Sequence, residues 1–398
     1  MTRSPIGRSA LIVVCAVLLT APAAAQSVKK LDSYDGVAVR ILQSNNAGTT
    51  QHVIDPAINE VVGIIKGCPN PHNFTVHPES LYYYCSNELD QAVDVFDTKT
   101  LEFVTRIPLS ARPNKIAVNK KHRKLYAGIA QRTDSPGPGV EVDPNGRYPA
   151  VVDVIDIDTH TLVKSIEVFS TIHNVFMTPD ENHVVLGLRG EVEPGDPTIQ
   201  VIDPVTDTVA FGIELTGYEQ YGRTHHEVRP MTFLADDDGS TKWLFAQATG
   251  INRAWVVDWE THEMVDMLVP PELPLWEKNA DGIQTGDMHG LEVLPDKSAV
   301  WASSRIDSRI YGWSLPDLEY IGSVEVGPSA NWMTSTPDSR YMYVAVSGSD
   351  HTLAIDLESL EILAKIKTGA RPARNATVVL PLDRVNPKGT GMRTEENE

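Results

Sequence analysis

The stretch DVFDTKTLEFVTRIPL, residues 94–109, decides the fold of this chain. It reads as two short strands around a turn, because an apolar pair and an aspartate are followed by turn residues and then by an alternating strand. The same unit returns six more times, at residues 53–65, 153–168, 200–215, 255–270, 312–326 and 353–368. Self-similarity at a fixed period of roughly 40–50 residues is typical of a repeat architecture, in which neighbouring copies bury a common core.

Each copy extends to four strands. After the quoted unit come a loop, a strand such as HNFTVHP (residues 72–78), a tight turn and a strand such as LYYYCS (residues 81–86). The strands are rich in Val, Ile, Tyr and Phe, and Pro, Asp, Gly and Asn stand between them, as is typical of antiparallel sheets. Four antiparallel strands in each of seven copies predict an all-β fold, the seven-bladed β-propeller.

The two ends of the chain are expected to meet in one blade. The first copy lacks an innermost strand, and residues 375–380 form an innermost-type strand without a blade of their own. We therefore expect the C-terminal strand to join the N-terminal blade, which closes the ring and removes its free edges. The propeller is predicted over residues 26–381, and the polar tail, residues 382–398, is expected to be disordered.

The sequence pattern of the copies resembles that of one known family. A V-x-P-D-like turn, then a strand, then Val-Ile-Asp-x-x-Thr is similar to the repeat of the YVTN-repeat propellers, which belong with the quinoprotein amine dehydrogenase-like and lactonase-like group. The resemblance covers residues 53–381 and implies the fold far more than an activity. The chain departs from the most regular repeats, because the spacing is 42 residues from Asp55 to Asp97 but 59 residues from Asp97 to Asp156.

The N-terminus has the pattern of a secretory signal peptide. Arg3 and Arg8 form a basic start, residues 10–19 are apolar, and residues 23–25 are alanines that suit a cleavage site. Residues 1–25 are therefore expected to be removed, and the mature protein, beginning near Gln26, is expected in the periplasm or outside the cell. The apolar run is too short for a permanent membrane anchor, and no later stretch is a candidate for a membrane span.

The chain is strongly acidic. Its formal net charge of −19 becomes −21 without Arg3 and Arg8. Nucleic acids and anionic lipid surfaces are bound through clusters of Lys and Arg, so this balance disfavours nucleic acid as a partner.

Two cysteines, Cys68 and Cys85, remain after cleavage of the signal peptide. Antiparallel pairing brings them to the same end of one blade, and cysteines of exported proteins commonly pair. We expect a disulfide that holds the loop before His72. Two thiolate metal ligands are the alternative.

A ring of polar residues is predicted around one mouth of the central channel. Reading back four residues from the V-x-P-D-like turn of each copy gives the residue that opens each innermost strand. This predicted ring consists of His72, Asn114, His173, Arg229, His289, Asn331 and Asn375. The histidines come from alternate blades, and converging imidazoles suit Cu, Zn or Fe. In the alternative, the histidines line a wet channel and bond to neighbouring carbonyl groups.

Four insertions are expected on the same face as the predicted ring. They are residues 132–149, 190–197, 217–228 and 271–288. Functional loops usually lie on one side of a rigid scaffold, which favours a site on this face. Loops of this face would also carry Glu88, Gln131, Arg189, Glu191, Tyr221, His225, His226, Glu227, Gln247, Trp276, Arg305 and Asp307.

Two functions of different classes fit such a site. In the first, a monomeric propeller binds a small anionic ligand or a protein partner at the channel mouth, since planar guanidinium groups suit carboxylates. The ligand-binding residues would be Asn114, Arg189, Arg229, Asn331, Asn375 and Arg305.

In the second, the chain is a metal-dependent oxidoreductase or lyase that uses Cu, Fe or Zn. The metal ligands would be His72, His173 and His289. Arg229 or Arg305 would orient the substrate, and Glu191 or Glu227 would act as the base. The catalytic candidates are thus Glu191, Glu227 and Arg305.

Overall fold

The computed structural model describes residues 36–130, 150–191, 195–216, 225–279 and 288–385. Within these residues the chain is built from 28 β-strands and two 3-10 turns, Leu275–Glu277 and Leu382–Arg384. Neighbouring strands pair antiparallel throughout. The prediction of an all-β fold made of four-stranded antiparallel sheets is confirmed.

The strands follow one another through the sheets in chain order. The first sheet contains β1 (Val37–Asn45), β2 (Thr50–Asp55), β3 (Glu60–Lys66) and β28 (Pro372–Pro381). The second sheet contains β4 (Pro71–Val76), β5 (Tyr82–Asn87), β6 (Ala92–Asp97) and β7 (Phe103–Pro108). The third sheet contains β8 (Pro113–Asn119), β9 (Lys124–Ile129), β10 (Val151–Asp156) and β11 (Thr161–Glu167). An eight-stranded sheet contains β12 (Thr171–Met177), β13 (Val184–Glu191), β14 (Ile199–Asp203), β15 (Thr208–Ile213), β16 (His225–Ala235), β17 (Thr241–Ala248), β18 (Ala254–Asp258) and β19 (Met264–Leu268). The fifth sheet contains β20 (Met288–Val293), β21 (Ala299–Ser304), β22 (Arg309–Ser314) and β23 (Tyr320–Glu325). The sixth sheet contains β24 (Ala330–Ser335), β25 (Tyr341–Val346), β26 (His351–Asp356) and β27 (Glu361–Lys367).

The C-terminal strand completes the first sheet. β28 pairs antiparallel with β1, in a register that runs from Val37↔Pro381 to Gln43↔Asn375. This pairing of the two ends of the chain is the one expected from the sequence. It gives the first sheet its fourth strand and places β28 beside β4 and β24.

The eight-stranded sheet differs from the expectation that each copy forms a separate sheet. β13 and β16 pair through Arg189↔Glu227, Gly190↔His226 and Glu191↔His225, and this joins two units of four strands. The physical reason is that both strands extend beyond the ladders of their own units, since Gly190 and Glu191 of β13 lie past its pairing with β12 and residues 225–227 of β16 lie before its pairing with β17. The ends that protrude beyond their own units pair with each other.

The hydrophobic core lies between neighbouring sheets. One cluster joins Val93 and Val95 of β6 to Leu125 and Ala127 of β9. Another joins Ile41 of the first sheet to Tyr343 of the β24–β27 sheet, so the first and last sheets in the chain also pack together. The innermost strands contact one another in the order β4, β8, β12, β16, β20, β24 and β28, and β28 contacts β4 again. The sheets therefore surround a central channel.

Both chain ends extend beyond the described residues. The expected signal peptide, residues 1–25, lies outside them, as do residues 386–398 of the expected disordered tail. The first residues of that tail are held in place, because Leu382–Arg384 forms a 3-10 turn and Arg384 Nη1 lies 3.7 Å from Asp97 Oδ2. Within the described part of the chain, no helix has the length and apolar character needed to cross a membrane.

Candidate functional site at the channel mouth

Most innermost strands shift register near their start, and the shift falls at the residues of the predicted ring. β4, for example, pairs regularly at Pro71 and again at Phe74, and β20 at Met288 and again at Gly290. Such bulges re-aim a side chain and are common near functional sites. The side chains at these shifts are His72, Asn114, His173, Arg229, His289 and Asn331.

Arg374, which the spacing of the sequence did not indicate, is the residue that β28 contributes. Its Nη1 donates to Asn331 Oδ1 at 2.9 Å and to His289 Nδ1 at 3.3 Å, and its Nη2 contacts His72 Nε2 at 3.5 Å. Asn375, which the spacing assigned to the ring, instead donates from Nδ2 to Tyr343 O at 2.9 Å. We call the group formed by His72, Asn114, His173, Arg229, His289, Asn331 and Arg374 the channel mouth.

Counting back four residues from the turn does not locate Arg374, because a register shift also falls at the start of β28. The β1–β28 ladder is irregular between Gln43 and Asn45, and Arg374 lies in the irregular part of β28. The signal available in the sequence was Arg374 itself, a cation in a strand whose flanking residues Ala373 and Asn375 are buried. A long cationic side chain in such a strand must find partners inside the protein.

Glu227 connects two residues of the channel mouth. Its Oε1 lies 2.6 Å from His173 Nδ1, and its Oε2 accepts from Arg229 Nη2 at 2.8 Å and from Thr249 Oγ1 at 3.0 Å. Burial raises the pKa of Glu227, but the hydrogen bonds and charges of His173 and Arg229 outweigh it and hold the pKa well below its usual range. Glu227 is therefore an ionised carboxylate that orients His173 and pairs with Arg229.

The histidines of the channel mouth are neutral. Burial lowers the pKa of His173 to about 4, although the Glu227 carboxylate opposes the shift. Burial also lowers the pKa of His72 and of His289 well below 6.5. Nearby cations add to this effect, chiefly Arg374 for His72 and Arg305 for His289.

Three guanidinium groups lie within one another's electrostatic field at this site. Burial, followed by the charge of Arg229, lowers the pKa of Arg374 to about 9, so its side chain keeps its charge at neutral pH. Burial and the charges of Arg229 and Arg374 also lower the pKa of Arg305. With neutral histidines, and with Glu227 paired with Arg229, the charge of Arg374 makes the channel mouth cationic in a chain of net charge −19.

The residues present do not fit a transition metal. Ring nitrogens of His72 and His289 contact the Arg374 guanidinium, whose positive charge would repel a second cation. The rings of His72 and His173 are edge-on, with centroids 6.1 Å apart. Within the described ranges, no group of three or more His, Cys, Asp or Glu side chains is arranged to hold a metal ion.

Other residues expected on this face have structural roles. Glu88 accepts from Asn70 Nδ2 at 2.7 Å and from Arg112. Gln247 donates to Ile251 O at 3.1 Å, and Asp307 accepts from Tyr311 Oη at 2.9 Å. Arg189 is more exposed, with Nε 3.4 Å from Glu227 Oε1, and Trp276 is 85% exposed.

The rest of the expected face lies outside the described residues. Gln131 and Tyr221 are not among them, nor are the side chains of Glu191, His225 and His226. The same holds for most of the four insertions, since residues 131–149, 192–194, 217–224 and 280–287 are outside the described ranges.

The structure joins Cys68 and Cys85 by a disulfide, the pairing expected from the sequence. Both residues are fully buried, and Gln51 Nε2 donates to Cys68 O at 3.0 Å. The bond ties the loop before β4 to β5, so it holds the strand that carries His72. The alternative of two thiolate metal ligands does not apply to bonded sulfurs.

Solved structures with a similar fold are β-propeller proteins of diverse function. No protein family model and no curated protein sequence matches the chain. Hydrazine synthase from Kuenenia stuttgartiensis is similar with a TM-score of 0.60 and 16% identity, over 80% of this chain and 92% of that chain. The periplasmic gluconolactonase of Pseudomonas aeruginosa is similar with a TM-score of 0.60 and 15% identity, over 86% of this chain and 100% of that chain. A dihydro-heme d1 dehydrogenase is similar with a TM-score of 0.60 and 14% identity, over 92% of this chain and 79% of that chain.

These identities show the fold alone. The chain is a β-propeller, as the sequence predicts. Its similarity to the YVTN repeat is a resemblance in sequence pattern. The diversity of the similar structures agrees with the rule that one fold carries many unrelated sites.

Proposed function

We propose that this chain is an exported seven-bladed β-propeller whose channel mouth binds a small anion through Arg229, Arg305 and Arg374. The observation that carries the proposal is that the buried Arg374 guanidinium contacts His289, Asn331 and His72, while Glu227 joins Arg229 to His173 at the same channel mouth. Guanidinium groups present planar pairs of donors that match carboxylate and phosphate oxygens.

The count of seven blades is supported by the strands that surround the channel. Five sheets have four strands, and the eight-stranded sheet divides into β12–β15 and β16–β19, linked only by the short pairing of β13 with β16. Counted this way, each unit contributes one innermost strand to the closed series that starts and ends at β4.

Arg374 is the central anion-binding residue in this proposal. Its guanidinium is held by neutral acceptors, Asn331 Oδ1 and His289 Nδ1, and among the described residues no carboxylate forms an ion pair with it. The charge of Glu88 raises the pKa of Arg374, but Glu88 forms no ion pair with it in the described residues, so an anion that enters the channel mouth gains a direct interaction with the buried guanidinium.

His173 places a polar atom at the same site. Its Nδ1 faces Glu227, and its Nε2 has no hydrogen-bond partner among the described residues. An imidazole oriented by a carboxylate presents a defined nitrogen to a ligand. We therefore propose that His173 Nε2 bonds a polar group of the bound anion, which favours a ligand with hydroxyl groups in addition to its carboxylate.

Sugar acids are the first ligand class to test, since they combine a carboxylate with hydroxyl groups and one similar structure is that of a gluconolactonase. Isothermal titration calorimetry should detect binding of gluconate or inorganic phosphate, but not of glucose, which is neutral. We expect Arg229→Gln to weaken anion binding at least tenfold, because it removes about 1.4 kcal/mol or more of charge-assisted bonding.

Arg340→Gln is the matched control, because the partly exposed Arg340 pairs with the buried Asp356 at 3.4 Å, at the end of the β24–β27 sheet opposite the channel mouth. It should bind the anion as the unmodified protein does. Arg374→Gln is a second variant with the same expected loss as Arg229→Gln. If none of the anions binds, or if Arg229→Gln binds as tightly as Arg340→Gln, the proposal is wrong.

Export is the second part of the proposal. It is supported by the signal-peptide pattern of residues 1–25 and by the disulfide between Cys68 and Cys85, which suits an oxidising compartment. When the complete chain is produced in a bacterium, we expect periplasmic protein whose N-terminal residue lies near Gln26. Intact-mass and N-terminal sequencing would measure this, and protein that stays in the cytoplasm with Met1 in place would contradict it.

A further inference from the structure

A cavity of about 320 Å³ lies in the central channel beyond the channel mouth. It is lined by charged and aromatic side chains, chiefly Lys115, Phe176, Glu292, Trp332 and Arg374. None of the histidines of the channel mouth lines it, so it is a separate compartment that shares only Arg374 with the anion site. A cavity of this size is at the lower end of those that hold small molecules.

Lys115 projects its amine against the aromatic wall of this cavity. Nζ lies 3.0 Å from the centroid of the Phe176 ring and 4.8 Å from that of Trp332, and the two rings stack with centroids 6.2 Å apart. Within the described residues, no carboxylate pairs with Nζ at salt-bridge distance, whereas Lys124 pairs with Asp207 at 2.7 Å. Lys115 is therefore a deeply placed amine without a close counter-ion.

The surroundings of Lys115 favour its neutral form. Burial lowers the pKa of Lys115 well below 10.5, the positive charge of Arg374 lowers it further, and Glu292 opposes the shift. These groups come from β28 and β20, the strands that face Lys115 across the cavity. A neutral lysine amine is a nucleophile toward carbonyl carbon atoms.

Glu292 supplies a group that can move protons in the same cavity. Its Oε1 accepts from Ser335 N at 3.1 Å and from Ser335 Oγ at 3.0 Å. Burial raises the pKa of Glu292 to about 7, although these hydrogen bonds oppose the shift. Near neutral pH the carboxyl group therefore exists in both protonation states, as a general acid and base requires.

We propose that Lys115 forms a Schiff base with a small 2-oxo acid in this cavity. The amine attacks the carbonyl carbon, the new C–N bond forms as the C=O π bond breaks, and a proton passes from the nitrogen to the oxygen to give a carbinolamine. Glu292 then gives a proton to the hydroxyl group, water leaves, and a protonated imine remains. Arg374 binds the carboxylate of the oxo acid, and Phe176 and Trp332 enclose its carbon chain. No oxidant or reductant is needed.

Reductive trapping tests the proposal on the unmodified protein. The chain is incubated at pH 7 with pyruvate and sodium cyanoborohydride, which reduces an imine to a stable secondary amine, and the modified lysines are located by peptide mass spectrometry. We expect Lys115 to be labelled at least about tenfold faster than the exposed Lys99 and Lys365, since each unit by which the pKa is lowered raises the neutral fraction tenfold. With acetone, a ketone that lacks a carboxylate, the preference for Lys115 over Lys99 and Lys365 should be smaller than with pyruvate.

Two variants separate this proposal from anion binding at the channel mouth. Lys115→Arg should lose the fast-labelled site, and Lys242→Arg, a partly exposed control beside Trp243, should keep it. Arg229→Gln should weaken anion binding but leave labelling of Lys115 unchanged. Labelling of Lys115 no faster than that of Lys99 and Lys365 in the unmodified protein would overturn the proposal, whatever the variants do.

Discussion

Arg374 determines what kind of site the channel mouth is. Three histidines from alternate blades suggested a metal centre or, in the alternative, a wet channel, and the spacing of the sequence did not place Arg374 among them. The structure places the Arg374 guanidinium against His72 and His289, so the imidazoles act as acceptors for an arginine. In the proposed function, the same side chains bind an anion instead of a metal ion. Arg374 lies at a register shift of β28. Such shifts follow from pairing between strands that are distant in sequence, so the local spacing of residues did not predict its position.

The buried histidines make the stability of the protein depend on pH. The pKa of His72, His173 and His289 is lowered in the folded chain, to about 4 for His173, and is near 6.5 in the unfolded chain. Between these values the unfolded chain binds protons that the folded chain does not. The free energy of unfolding should therefore fall as the pH drops from 6.5 toward 4, by about 1.4 kcal/mol per pH unit for each histidine. Glu292, whose pKa is raised to about 7, opposes one such contribution between pH 7 and 4.5.

Urea unfolding at several values of pH between 4.5 and 7 measures this slope. His289→Gln should make it shallower by about 1.4 kcal/mol per pH unit, because glutamine takes up no proton. His122→Gln, in a surface turn, is the control and should leave the slope unchanged. The slope is informative even if His289→Gln lowers the stability at every pH. An unchanged slope in His289→Gln would contradict the assignment of a neutral, buried His289.

At the scale of single elements, the strands and their grouping were predictable from the sequence. Alternating apolar residues and turn-forming Pro, Asp and Gly specify short antiparallel strands, and residues 94–109 correspond closely to β6 and β7. The unpaired C-terminal strand predicted its own partner, because β1 begins a sheet that lacks an inner strand. The pairing of Cys68 with Cys85 followed from the same register argument.

The fusion of two units into one eight-stranded sheet was not predictable from the repeat. It depends on how far β13 and β16 extend into insertions that have no counterpart in the other copies. Gly187 permits their close approach, because a Cβ atom at this position would collide with the carbonyl oxygen of Val228. A glycine inside a strand indicates such an approach but does not say which strand comes near.

At the scale of the whole molecule, the charge is divided between surface and channel. The chain carries a formal charge of −19, yet its channel mouth contains the guanidinium groups of Arg229 and Arg374. In the proposed function, these cations bind an anion inside a protein whose overall charge is negative. The composition of the chain predicted its overall negative charge but not the cations of the channel, since a net charge sums over surface and channel.

The closure of the ring by β28 gives a prediction about the whole fold. Deletion of residues 372–398 removes β28, and with it the buried Ala373, Val378 and Leu380 and the contacts of β28 with β4 and β24. Burial of a side chain such as Val or Leu contributes about 1.5–3 kcal/mol, and the free edge of β1 would add a site for aggregation. We expect this truncated chain to lose cooperative thermal unfolding or to aggregate.

Deletion of residues 386–398 is the matched control, because it keeps β28 and the Leu382–Arg384 turn, and its Tm should stay within about 2 °C of the complete chain. Circular dichroism melts and size-exclusion chromatography of the two proteins distinguish the outcomes. If the chain without β28 unfolds cooperatively at the Tm of the control, the ring does not depend on its C-terminal strand, and neither does the position of Arg374 at the channel mouth.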